Sequence, residues 1–252
     1  MRRDVLELRR FYASPLGAAV REMVVRKLAE AWDSPRGLDF LGLGYATPFL
    51  EGLDSARRVV AAMPAAQGVE AWPHEGRNLA CLGEETALPF ANALFDRILV
   101  VHGLEESDDP LALMREVWRV LAPSGRVVIV AASRLGLWSD AEKTPFGHGR
   151  PYTRRQLEEL VREAELEPAA WSRALYAPPL DWTAGWSEAF EQVGSRLWPQ
   201  FSGVILLEAV KQTFAVKPKA PRMRAKAPAL RPVPVGPILE PAARFEKPRC
   251  SA

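Results

Sequence analysis

Seven short segments in which apolar residues run almost without interruption, 37–42, 58–63, 78–82, 95–102, 126–132, 168–176 and 203–214, set the limits on what this chain can build. Continuous apolar character is what parallel strands covered on both faces require. Between them lie segments with helical spacing. Residues 16–32 place Val20, Met23, Val24, Leu28 and Ala31 three or four apart, and residues 110–121 do the same with Leu113, Val117, Val120 and Leu121. Residues 152–165 carry Leu157, Leu160 and Val161 behind a capping Thr153, and the stretch before the last strand holds Trp182, Trp186, Phe190, Val193 and Leu197. Strands alternating with helices imply right-handed crossovers and an α/β fold with a doubly wound, mostly parallel seven-stranded sheet.

The charge divides the 252 residues into two parts. Residues 217–252 hold nine Lys or Arg against Glu240 and Glu246, a net of +7, with eight of the 22 prolines. The remainder carries 24 basic and 29 acidic residues, so residues 1–216 form a body of about −5. A body of that sign is not a nucleic-acid surface. The tail has too little apolar surface to offset the entropy of ordering, so it is expected to be a disordered solubilising extension, with weak attraction to an acidic surface or partner as the alternative. Cys81 and Cys250 provide neither a disulfide framework nor a metal cluster. Arginines interleaved with acids in the first 33 residues exclude a signal peptide there, no apolar run is long enough to span a membrane, and the expected location is the cytoplasm.

Residues 38–50, Leu-Asp-Phe-Leu-Gly-Leu-Gly-Tyr-Ala-Thr-Pro-Phe-Leu, read as a buried strand entering a glycine turn, with Thr47–Leu53 starting the next helix. Glycine admits positive φ and lets a ligand approach the backbone, which marks Gly42 and Gly44 as candidate ligand contacts. The turn lacks the third glycine of a dinucleotide fingerprint, which argues against a nicotinamide-dependent dehydrogenase. Downstream, Gly83-Glu84-Glu85-Thr86-Ala87-Leu88-Pro89-Phe90 precedes Leu94-Phe95-Asp96-Arg97-Ile98-Leu99, and Leu104-Glu105 leads through Asp109-Pro110 to Arg115-Glu116-Val117-Trp118-Arg119-Val120-Leu121-Ala122-Pro123-Ser124-Gly125-Arg126.

Together with Leu41-Gly42-Leu43-Gly44-Tyr45-Ala46, these stretches resemble class I S-adenosylmethionine-dependent methyltransferases over residues 17–215. The resemblance implies a Rossmann-like sheet with an antiparallel last strand and S-adenosylmethionine as cofactor. It places the methionine part of that cofactor against Gly42, Gly44 and Tyr45, and the adenine amino group at Glu84. Met63 would pack on adenine or ribose as a soft apolar surface. The methyl-transfer site would lie at the end of the fourth strand, by His102 and Leu104, with the helix 16–32 covering the pocket.

Methyl transfer is mainly a matter of alignment, with a proton removed where the nucleophile needs it. Of His74, His102 and His148, the histidine at a strand mouth, His102, is the acid–base candidate. The Gly- and Pro-rich loop 135–151 is long enough for a lid, and His148, Arg150, Tyr152 and, from the first segment, Tyr12 are candidates for holding a small-molecule acceptor. No metal-ligand cluster, catalytic cysteine or Asn-Pro-Pro-Tyr element for nucleobase methylation is present.

Two positions depart from the family pattern. Phe40 stands where an acid is expected, and Asp39, one residue away, points to the opposite face because strand side chains alternate. The end of the second strand, Val59 to Pro64, offers no carboxylate for the ribose hydroxyls. A degenerate fold that binds a ligand or partner without turnover is therefore the alternative reading.

Overall fold

The computed structural model describes residues 2–32, 34–180, 183, 185 and 187–212. Trp182, Trp186, Phe214 and the basic segment 217–252 lie outside the described residues. Seven strands form one sheet: β1 (Asp39–Gly44), β2 (Arg58–Pro64), β3 (Ala80–Gly83), β4 (Phe95–Val101), β5 (Leu121–Ala132), β6 (Leu166–Ala174) and β7 (Val204–Lys211). Their order is β3-β2-β1-β4-β5-β7-β6, and β7 runs antiparallel to both neighbours while the other pairings are parallel. This is the α/β sheet expected from the sequence, with the last strand inserted between β5 and β6.

Alternate residues of the central strands feed two separate cores. Leu99, Val101, Val128 and Val130 face helices α1 (Val5–Tyr12) and α2 (Pro15–Ala31). Ile98, Val100, Val127 and Ile129 face α4 (Pro110–Val120) and α5 (Arg154–Glu163). Because both sets are buried, the strands read as continuous apolar runs rather than alternating ones. The helices start where capping side chains satisfy their free N–H groups. Asp109 accepts from Ala112 N–H at 2.9 Å, and Thr153 and Gln156 form a reciprocal capping box. A further helix, α6 (Ser187–Leu197), precedes β7.

Three local features differ from the sequence reading. The helix after the glycine turn, α3 (Thr47–Leu50), makes a single turn, because Glu51 is extended and Gly52 adopts φ +83°, conformations that cannot continue it. Strand β5 begins at Leu121, which pairs with Phe95 before an irregularity, so the Pro-Ser-Gly turn lies inside the strand as a kink with Ser124 at φ +61°. Helix α1 was not foreseen. Its eight residues offer only Val5, Leu8 and Tyr12 as a buried stripe, and Asp4 caps it by accepting from Leu6 N–H at 2.7 Å.

Candidate cofactor and acceptor site

The strand order reverses between β1 and β4, and the crevice outside their carboxyl ends is where such sheets bind ligands. Gly44 has φ +84°, and a Cβ there would lie 2.2 Å from the Val101 carbonyl oxygen and 2.9 Å from Gly103 N. Tyr45 N–H donates to the same Val101 oxygen at 2.8 Å. At Gly42 a Cβ would meet Leu50 and Ala46 at 2.6 and 2.7 Å. Each glycine thus has a packing reason of its own, letting β1 close against the exit of β4 and against α3. Asp39 forms a bidentate pair with Arg57, at 2.9 and 2.6 Å, which holds its carboxyl below the usual range; it serves the opposite end of β1. Phe40 is buried with its ring edge on Trp32, centroids 5.5 Å apart.

Beside the switch point a cavity of about 650 Å³ opens over the ends of β2 and β3 and the segment after β4. Pro64 to Ala66 form one wall, Glu84 to Thr86 another, and Glu106, Asp108 and Asp109 the third, with Arg2 at its edge. Glu84 is exposed on the rim, whereas Glu85 turns inward and accepts from Ser107 Oγ at 2.5 Å. Met63 is buried just before this wall and Leu104 is in the core, 1 % exposed each.

A buried aromatic and polar cluster adjoins the exit of β4. Tyr12 Oη and His102 Nε2 are 2.7 Å apart, Tyr12 stacks on Tyr45 at 5.8 Å, and the His102 ring lies 4.7 Å from Phe146. His102 itself sits at φ +51°, a strained conformation for a side chain of its size. Burial and Arg3 lower its pKa to about 3, so the imidazole is neutral at physiological pH. Burial also raises the phenols of Tyr12 and Tyr45, the latter with help from Glu70, and pushes Tyr152 to about 12.

Glu105 lies in the third sequence motif, but sequence reasoning gave it no role. Its Oε1 accepts from Ala132 N–H at 2.9 Å, its Oε2 is buried without a hydrogen-bond partner, and burial raises its pKa to about 7. Its field raises the Tyr12 and Tyr152 phenols, which places it in the same cluster. The signal available was a carboxylate three residues past the strand-end histidine, in a strand exit that must be buried.

The acceptor candidates separate. Tyr12 enters the buried cluster. His148 is held by Arg3 and by the Glu142 carbonyl, Arg150 is exposed with its N–H donating to the Glu105 carbonyl oxygen at 2.8 Å, and Tyr152 Oη reaches Leu104 O at 3.4 Å. None of these three lines the second large cavity, about 560 Å³, between α1 and the loop segments at 143–144 and 179–180. Arg3, Arg10 and Lys143 line it against a single carboxylate, Glu7, with Phe11, Leu16, Pro179 and Leu180 as its apolar wall. Among the described residues no group of three or more His, Cys, Asp or Glu side chains is arranged to hold a metal, and no helix is long and apolar enough to cross a membrane.

The first cavity fits an adenosyl group in two respects. It lies outside the carboxyl ends of β2, β3 and β4, and a planar cation, Arg2, already reaches into it, ion-paired with Glu85 in its wall and donating to the neighbouring Gly103 carbonyl. Residues 38–129 match the family profile described as a methyltransferase domain. A demethylmenaquinone methyltransferase of Lactococcus lactis is 31 % identical over 83 residues, 32 % of this chain and 33 % of its own length. An uncharacterised protein of Mycobacterium tuberculosis is 28 % identical over 70 % of this chain and 63 % of its own. The chain thus spans less than two thirds of the length of either relative. The fold is shared with an S-adenosylmethionine-dependent methyltransferase of Thermotoga maritima, at TM-score 0.56 and 17 % identity over 82 % of this chain and 96 % of that one. Residues 38–129, which carry β1 to β4 and most of β5, match a methyltransferase domain on a fold shared with S-adenosylmethionine-dependent methyltransferases, and S-adenosylmethionine is the cofactor such a domain implies.

Proposed function

We propose that the chain transfers a methyl group from S-adenosylmethionine to a small molecule. The observation that carries this reading is the position of the 650 Å³ cavity, outside the carboxyl ends of the strands of the matched domain and beside a buried Tyr12–His102–Glu105 cluster. The cofactor, when bound, supplies an electrophilic methyl group on a sulfonium. Glu84 and Glu85 would hold its adenosyl part, Met63 would back it, and the turn at Gly42, Gly44 and Tyr45 would lie nearest its methionine part.

The chain's own residues would do three things. Helix α1 and the loop around Phe146 exclude water from the cluster. The three cations around the 560 Å³ cavity favour an acceptor with negative charge and an apolar body. Proton removal would fall to His102, the sequence candidate, or to Glu105; of the two, only Glu105 titrates near neutrality, which suits it better to accept a proton. The quinone-related activity in the name of the Lactococcus relative is not carried over, because that likeness covers a third of either chain.

Isothermal titration with S-adenosylmethionine and S-adenosylhomocysteine tests the reading. Saturable binding of both is expected; no heat and no thermal shift at millimolar ligand would remove it. A second reading, binding without turnover, is favoured by Met63 and Pro64 at the place of a ribose carboxylate. It predicts binding of both ligands but no conversion with any acceptor.

A further inference from the structure

Residues 2–12 tie together the exits of three strands at one end of the sheet. The Arg2 side chain, 5 % exposed, reaches into the cleft, where its Nη2 lies 2.5 Å from Glu85 Oε2 and 3.1 Å from the Gly103 carbonyl oxygen. Arg3 N–H donates to the Glu106 carboxylate at 2.6 Å, and Val5 N–H donates to the Gln67 carbonyl oxygen at 2.9 Å. At the far end of the segment stands the 2.7 Å Tyr12–His102 contact. The anchors are thus Gln67 past β2, Glu85 past β3, and His102, Gly103 and Glu106 past β4.

Arg2 lines the 650 Å³ cavity together with Glu84 and Glu85, and several polar atoms around the strap are unpaired. Both polar atoms of the Gln67 amide, 1 % exposed, and Oε2 of Glu105, 4 % exposed, have no hydrogen-bond partner. Buried polar groups are ordinarily paired, and each one left alone carries a desolvation cost. Within the cavity wall itself, Glu85 Oε2 is also buried without a hydrogen-bond partner although Arg2 lies against it, which leaves an acceptor for a second occupant.

Resting on the reading that an adenosyl cofactor enters this cavity, we propose that residues 2–12 are an intramolecular competitor of that cofactor, with the Arg2 guanidinium standing on Glu85 and Gly103 O, acceptors that the adenosyl part would otherwise face. The cofactor binds only the fraction of molecules in which Arg2 has withdrawn, so the apparent affinity is the intrinsic affinity reduced by that fraction. The strap differs from a lid that closes over a bound ligand, because it and the ligand claim the same acceptors.

The test compares the wild-type chain with Arg2→Ala, using S-adenosylhomocysteine as the probe. Titration calorimetry is expected to show tighter binding to Arg2→Ala by roughly tenfold. Hydrogen exchange of the wild-type chain should show faster exchange at amides 3–12 with the probe bound than without it, a readout that does not depend on how well the variant folds. If the wild-type chain binds the probe but Arg2→Ala binds no more tightly, or if amides 3–12 become more protected, the strap is a lid and the competition is refuted while the cofactor reading stands. If neither chain binds at about 100 times the concentration expected for a cofactor, release of the strap uncovers no site and both ideas fall.

Discussion

Tyr12 and His102, separated by 90 residues in sequence, meet in a buried contact of 2.7 Å between phenol oxygen and imidazole Nε2. It joins the last turn of α1 to the residue after β4, at the point where the sheet order reverses. Sequence reading named both residues for different tasks, acceptor holding and proton transfer; the structure makes them a single unit.

Tyr12→Phe leaves the ring in its stack on Tyr45 but removes the partner of a buried imidazole nitrogen. A loss of about 1–3 kcal/mol is expected. For a domain of this size that corresponds to a fall in melting temperature of roughly 2–12 °C. An unchanged melting temperature would show that His102 finds another partner.

The buried pair of titrating groups fixes the pH dependence of stability. Glu105 has a folded pKa of about 7 against an ordinary 4.5, so its contribution is fully present below pH 4.5 and lost as pH rises through 7. His102 has a folded pKa of about 3 against 6.5, so its contribution is present above pH 6.5 and lost as pH falls toward 3. Arg2 and Glu106 act on Glu105, and Arg3 acts on His102. Urea midpoints measured from pH 5 to 8 should therefore show Glu105→Gln gaining relative to wild type as pH rises. Parallel curves would mean that Glu105 titrates as it does in the unfolded chain.

Two glycines with similar backbone angles should respond differently to alanine. Gly44, at φ +84°, has the Val101 carbonyl 2.2 Å from an added Cβ, whereas Gly37, at φ +74°, has nothing within 4 Å. Gly37→Ala is expected to cost about 1–2 kcal/mol, the left-handed penalty alone, and Gly44→Ala roughly 2–5 kcal/mol once overpacking is added. Denaturant midpoints of the two variants check the difference, and equal losses would refute the packing role.

Glu84 is exposed on the cavity rim and Glu85 faces inward, so the two should differ in a binding measurement. Glu84→Ala is expected to weaken S-adenosylhomocysteine binding several-fold, the effect of a solvated hydrogen bond worth about 0.5–1.5 kcal/mol. Calorimetry giving an affinity equal to wild type would place the adenine amino group elsewhere, with Glu85 the remaining carboxylate in reach.

Sequence alone determined the class of sheet, its strand-and-helix alternation, the direction of the last strand by resemblance, and the glycine turn. Those are local or periodic properties: Ile98 and Leu99 must be buried on opposite faces, and Leu113, Val117 and Val120 must share one helical stripe, whatever the rest of the chain does. Only the tertiary structure decided which side chains meet at the strand exits. Nothing in the spacing of Arg2, Gln67, Glu85 and Glu105 marks them as neighbours, because they come together by crossing from strand to strand at one end of the sheet. Helix α1 escaped notice for a related reason. Eight residues carry too short a period to read, and this helix is held by contacts its own sequence does not contain, with Gln67, His102 and Glu106.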